Sequence, residues 1–309
     1  MILEPSNQLY LFEHHLIFKE LTDLYFENKL PNKIILSGEK GIGKSTLSYH
    51  LINYILSYND DKSYNLKNFQ INLENKTYKL IQNKSHPNFT LIDVNQDKKN
   101  IDINQIRNLI LTLNKSSFNS KPRFVLIDNI EFLNINSINA LLKILEEPND
   151  NINFILINNN KKILPTLKSR CLNFKINLTK EQSFNITNKI LNDDVNNFLN
   201  DDLISNYNTP GQLLKMINFA NVYNIDLKNL SLKNLISKII SDKNYKKDFY
   251  IKDLFYSLIE LYFRKNISIK NIELTYMYNF FINKIYNTKI FNLDEESLFL
   301  EFEDKILNG

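Results

Sequence analysis

Over the first 176 residues, short apolar runs alternate with stretches of helical periodicity. Ile34-Ile35-Leu36, Phe124-Val125-Leu126-Ile127 and Phe154-Ile155-Leu156-Ile157 are brief and rich in β-branched or aromatic residues, and a polar residue closes each. Runs of this kind predict buried strands of a parallel sheet, with the intervening helical segments packed on it. Beyond Ile176 the alternation stops and helical spacing alone remains. Ile251, Leu254, Phe255, Leu258 and Tyr262 recur at helical intervals, as do Leu298, Phe302 and Ile306, and they predict the core stripes of a helical bundle. The expected class is α/β, followed by an all-helical part. A chain of 309 residues is long for one domain and suits two or three.

Charge and composition narrow the classes. A net charge of +4 is too modest to argue for nucleic-acid binding by itself. No apolar run approaches the roughly 18 residues of a membrane span, and the N-terminus lacks the pattern of a secretory leader. The expectation is a cytoplasmic protein with no membrane contact. Cys171 is the single cysteine, which excludes an internal disulfide and any site built on several thiolates of this chain. Glycine and arginine are scarce, so their positions are informative. Three of the five glycines, Gly38, Gly41 and Gly43, lie within six positions, and only four of the 38 basic residues are arginines: Arg107, Arg123, Arg170 and Arg264. Where a lysine would serve, this chain uses one, so each arginine is a candidate for work that needs a planar, forked donor.

The clustered glycines follow the first predicted strand. Gly38-Glu39-Lys40-Gly41-Ile42-Gly43-Lys44-Ser45-Thr46 then leads into a helical run over 46–56, which is the G-x-x-x-x-G-K-S phosphate loop between strand and helix. Glycines let backbone amides close on phosphate oxygens, Lys44 would reach the outer phosphates, and the Ser45 hydroxyl would hold Mg²⁺. At the end of the second run, Asp128 is the matching carboxylate for the metal. The next residue is Asn129, and an amide cannot act as a general base. Glu131 is nearby in sequence, but nothing in the sequence brings it to a phosphate. Binding of ATP or ADP with Mg²⁺ is therefore expected more strongly than hydrolysis.

Between Pro31 and Cys171 the chain resembles the bacterial DNA polymerase III clamp-loader subunits of the AAA+ class, and the delta-prime branch more than gamma/tau. The resemblance rests on Leu30-Pro31-Asn32-Lys33, the phosphate loop, Ser85-His86-Pro87-Asn88-Phe89, Ile103-Asn104-Gln105-Ile106-Arg107, the Asp128 strand, the segment from Asn139 to Pro148, and the segment from Leu164 to Cys171. It implies an AAA+ domain over 1–176, a small helical lid over 177–220 and a helical collar over 221–309. It also implies an arginine finger at Arg170, offered in trans to a neighbouring subunit's ATP site. A sensor at the end of the third strand would be Asn158 or Asn159. The second sensor of the class is an arginine in the lid, whereas this chain has Gln212 after Thr209-Pro210-Gly211, with the last lid helix expected over 212–217. The implied partners are gamma/tau and delta subunits, with the sliding clamp and primed DNA reached through the complex.

Many relatives carry a four-cysteine zinc module, but 59–85 contains no cysteine, so no zinc is expected. His86 is read as a turn residue before Pro87, and His14 and His15 as residues that cap or cover a surface near the N-terminus. Two other classes share the phosphate loop. An ATP-hydrolysing AAA+ motor would show turnover abolished by Lys44→Ala, and a P-loop kinase would transfer phosphate to a metabolite, with Arg170 clamping substrate in cis.

Overall fold

The computed structural model describes residues 4–95, 98, 100–114, 121–146, 151–246, 249–266, 272–291 and 293–308. Two compact units divide the chain, Leu3–Ile186 and Thr187–Gly309. In the first, the order is α1 (His15–Phe26), β1 (Lys33–Ser37), α2 (Lys44–Leu56), α3 (Lys76–Gln82), β2 (Phe89–Ile92), α4 (Ile103–Leu113), β3 (Arg123–Ile127), α5 (Ile135–Glu146), β4 (Ile152–Asn158), α6 (Pro165–Lys168) and β5 (Leu172–Lys175). The boundary between the units falls within the next helix, α7 (Lys180–Leu191).

All five strands run parallel, in the spatial order β2-β3-β4-β1-β5. The inner strands are apolar at nearly every position because both faces are covered. Ile34, Leu36, Phe124, Leu126, Ile155 and Ile157 enter one core with Phe18, Leu47, Leu51 and Ile52 of α1 and α2. The alternate residues Ile35, Val125, Ile127, Phe154 and Leu156 enter the other, with Ile106 and Leu109 of α4 and Leu141 and Leu145 of α5. A one-residue slip of any strand would exchange the two sets, so this alternation sets the register.

Local signals start and stop the helices. Asp102 caps α4, accepting from the amides of Asn104 and Gln105, while the Gln105 side chain accepts from the Asp102 amide. At the far end the Arg123 guanidinium donates to Leu113 O at 2.9 Å, serving an orphan carbonyl of the last turn. The His86 ring Nδ1 accepts from the Asn88 amide at 3.1 Å, closing the turn into β2. In the cysteine-free stretch, Lys121 Nζ donates to Leu56 O at 2.7 Å and to Asp60 at 2.9 Å, and the Thr77 hydroxyl donates to the other Asp60 oxygen at 2.6 Å. Phe18, Tyr54 and Tyr64 pack beside α2, with ring centroids 5.4–5.8 Å apart. Asn139 to Glu146 lies in α5; Glu147 and Pro148 of that motif lie outside the described residues.

The second unit contains α8 (Pro210–Tyr223), α9 (Leu232–Ser241), α10 (Phe249–Asn266), α11 (Ile272–Phe291) and α12 (Glu295–Phe302). Where the sequence predicts a helix over 212–217, α8 begins at Pro210, whose fixed φ suits a first turn, and continues to Tyr223. Ile251, Leu254, Phe255 and Leu258 are buried along α10, and Leu298, Phe299 and Phe302 along α12. Phe299 meets Phe255 edge-on at 4.5 Å, and Phe302 meets Phe281 at 5.3 Å. The expected stripe breaks at its last member. A wider π turn over Glu303–Leu307 carries Leu307 into the core and leaves Ile306 partly exposed. No described helix is long and apolar enough to cross a membrane.

Candidate nucleotide site at the C-terminal edge of the sheet

Parallel strands place all their C-terminal ends at one edge, where four of the connecting loops meet. β4 lies between β1 and β3, so the residues after β4 enter the gap between the phosphate loop and Asp128. The loop after β1 has Gly41 at φ 88° and Gly43 at φ 93°, left-handed values that suit glycine, and Gly43 caps α2. Gly38 is required for space, since a Cβ there would lie 2.3 Å from Ile176 O and 2.7 Å from Ile42 Cδ1.

Lys44 is buried at the start of α2, and its ammonium donates to Gly38 O at 2.9 Å and Glu39 O at 2.6 Å. Burial draws its pKa down to about 8, against the opposing pull of Asp128, Glu131 and Glu39. The Ser45 hydroxyl donates to Asp128 Oδ2, joining the two expected Mg²⁺ ligands directly. The Asp128 carboxyl is pushed up to about 6, by burial first and by the nearby Asp93 carboxylate, although the Ser45 bond opposes the shift. Phosphate oxygens beside Lys44 would relieve the first shift, and a cation beside Asp128 the second. The cradle, the buried ammonium and this hydroxyl–carboxylate pair therefore suit a nucleotide's phosphates with Mg²⁺. Thr46 completes the first turn of α2. Glu39 and Lys40 lie on the exposed rim, where Glu39 accepts from the Asn160 amide at 2.7 Å.

The two sensor candidates separate. Asn158 is the last residue of β4, and its buried side chain turns back to donate to Lys161 O at 2.9 Å. Asn159 faces the site. Its Nδ2 donates to Asn129 Oδ1 and to Glu131 Oε1, each at 2.8 Å. Asn129, at φ 56°, donates in turn to Asp93 Oδ1 at 2.8 Å. Asp93 and Glu131 thus stand at the two ends of an amide chain. Sequence reasoning missed Asp93 because it follows a strand with no motif, and it left Glu131 aside because only the Ile130–Phe132 turn brings it back to the edge.

His14 is another residue that the sequence did not place at the site. It stands at the N-cap of α1 but does not cover a surface: it is buried, donates from Nε2 to Ile42 O at 2.6 Å, and lies where a Cβ on Gly43 would come within 3.1 Å of it. Burial lowers its pKa, so it acts as a neutral donor behind the phosphate loop. His15 donates to Leu11 O and stacks on Phe69 at 4.0 Å.

Arg170 lies just past α6. Its Nη1 donates to Thr166 O at 2.9 Å, its Nη2 pairs with Glu146 at 2.5 Å, and its side chain is 31% exposed. Gln212 and Thr209 form a reciprocal capping box on α8, so the Gln212 amide is engaged in starting its own helix. Among the described residues no group of three His, Cys, Asp or Glu side chains is arranged to hold a metal ion.

This strand order, with the phosphate loop after β1 and its carboxylate partner after β3, defines a P-loop protein of the AAA+ arrangement. Residues 13–180 match the model of the family described as DNA polymerase III, delta subunit, and the chain belongs to that family. It is similar to the DNA polymerase III subunit delta' of Buchnera aphidicola subsp. Baizongia pistaciae, with 32% identity over 56% of this chain and 54% of that one. It is also similar to the subunit delta' of Pseudomonas aeruginosa, with 30% identity over 45% of this chain and 40% of that one. The matched part spans about half the length of these relatives. A gamma subunit-related protein of Thermotoga maritima has a similar fold at 19% identity, covering 91% of this chain and 96% of that one, with a TM-score of 0.48.

Proposed function

We propose that this chain is a clamp-loader subunit of the delta-prime kind, which binds ATP or ADP with Mg²⁺ and assists the loading of a sliding clamp onto primed DNA in the cytoplasm. In this reading its partners are gamma/tau and delta subunits, and residues 177–220 and 221–309 serve as lid and collar. The observation that carries the binding half is the joint placement of Lys44, Ser45 and Asp128 around a glycine loop with left-handed turns. The bound Mg²⁺–nucleotide would supply a polyphosphate whose charge is the ligand for this edge. Amides of Gly38 to Thr46 would donate to phosphate oxygens, Lys44 would turn to them from its loop carbonyls, and Ser45 and Asp128 would hold the metal. Asn129 offers no base for a water, and its amide is engaged at both ends, which supports binding over turnover.

The second half concerns Arg170, whose guanidinium would complete a neighbouring gamma/tau ATP site in trans. Its partial exposure and its pairing with the exposed Glu146 support this role, because the contacts to be exchanged, that ion pair and the bonds to Thr166 O and the Ser169 hydroxyl, lie at the surface. Lys44→Ala is expected to weaken Mg–ADP binding about a hundredfold in calorimetry, as befits a buried charged contact. Arg170→Ala, assembled with gamma/tau and delta, should leave that binding intact and lower DNA-stimulated ATPase of the complex at least tenfold. Unchanged loader ATPase would remove the finger; unchanged binding in Lys44→Ala would remove the nucleotide site.

A further inference from the structure

The amide chain at the sheet edge has a fixed direction. Asp93 can only accept, so Asn129 turns its NH₂ toward it and its carbonyl oxygen toward Asn159. Asn159 must then donate to Asn129, and its second hydrogen goes to Glu131. The Asn159 backbone amide also leans on the other Glu131 oxygen, at 3.4 Å. Both side-chain hydrogens of the residue that would sense a terminal phosphate are therefore held by side chains of this chain. One of those acceptors is a carboxylate that also acts electrostatically on Lys44.

A diphosphate needs the loop amides and Lys44. Lys44, Ser45 and Asp128 would also hold the terminal phosphate of a triphosphate, which adds negative charge on the side of the site where Glu131 acts on Lys44. Glu131 would oppose that charge, and the Asn159 side chain, whose hydrogens are held by Asn129 and Glu131, would have none to give it. We propose that Glu131 sets this site's discrimination between nucleoside diphosphate and triphosphate, holding the Asn159 amide and opposing the terminal phosphate so that the diphosphate is favoured. This inference rests on the nucleotide-binding reading above.

The test is calorimetric titration of the full chain with Mg–ADP and with the non-hydrolysable Mg–AMP-PNP. Wild type is expected to bind Mg–ADP more tightly. Glu131→Ala frees one Asn159 hydrogen and removes the charge, so Mg–AMP-PNP should tighten about tenfold while Mg–ADP changes less than about twofold. Glu131→Gln removes the charge but still accepts from Asn159, and should give a smaller shift in the same direction. Because the two substitutions perturb the half-exposed turn differently, Glu131→Gln decides the matter if Glu131→Ala folds poorly. Binding of both nucleotides with an unchanged ratio in both variants overturns the role of Glu131 alone. If neither nucleotide binds to wild type or variants, the nucleotide reading falls and this inference with it.

Discussion

Two regions of the same sheet edge handle charge in different ways. The loop after β1 works through its backbone: Gly41 and Gly43 take left-handed conformations, Gly38 admits no Cβ, and the loop carbonyls hold Lys44. The turns after β2, β3 and β4 work through side chains, where Asp93, Asn129, Asn159 and Glu131 form a chain of carboxylates and amides. The first arrangement depends on which residues can adopt a conformation, so glycine is hard to replace and easy to recognise. The second depends on where single carboxylates lie, so one Asn in place of an acid alters the chemistry and leaves the fold intact.

The largest expected effect lies on the backbone side. Gly38→Val sets branched carbons against Ile176 O and Ile42, and should cost about 3 kcal/mol or more in urea unfolding. A tolerated valine would mean that the loop is looser than this contrast requires.

Next comes the helix behind that loop. His50 is buried on α2, donates from Nε2 to Gln8 O at 3.0 Å and accepts from the Tyr64 hydroxyl at 2.8 Å; burial draws its pKa down to about 4. The unfolded chain protonates His50 near pH 6.5, and the folded chain does so only near pH 4, so stability is full above 6.5 and declines as pH falls through that window. The loss should approach about 3 kcal/mol by pH 4. Denaturant unfolding of His50→Gln should show a flatter profile over the same window, and an unchanged slope would move the acid sensitivity elsewhere.

The smallest effect probes the side-chain half. Asn129→Glu places a carboxylate beside Asp93, so it is expected to destabilise the protein by about 1 kcal/mol and to bring no turnover. Adding Asp93→Asn exchanges the two groups and should recover most of that loss. ATP turnover from the single variant would show that a carboxylate at 129 is sufficient and that the amide chain does not restrain the site.

Residues close in sequence made much of this edge legible. The runs that became β1, β3 and β4, the phosphate loop, Ser45 and Asp128 were readable because hydrophobic period and glycine spacing act within a few positions. Spacing could not choose between Asn158 and Asn159, since one residue along a strand end reverses the side chain's direction. His14 read as a cap or a surface cover, and its buried place behind the glycine loop was not legible because its partner, Ile42 O, lies 28 positions away. Ile306 read as core because a π turn has no period in the sequence.

By itself, the sequence determined that a parallel sheet would carry a glycine-rich loop after its first strand and an acidic residue at the end of another, because local sterics and alternation permit little else. Only the tertiary structure decided that Asp93, Asn129, Asn159 and Glu131 would meet there. Their contacts depend on strand order, and the insertion of β4 between β1 and β3 brings together loops that are distant along the chain.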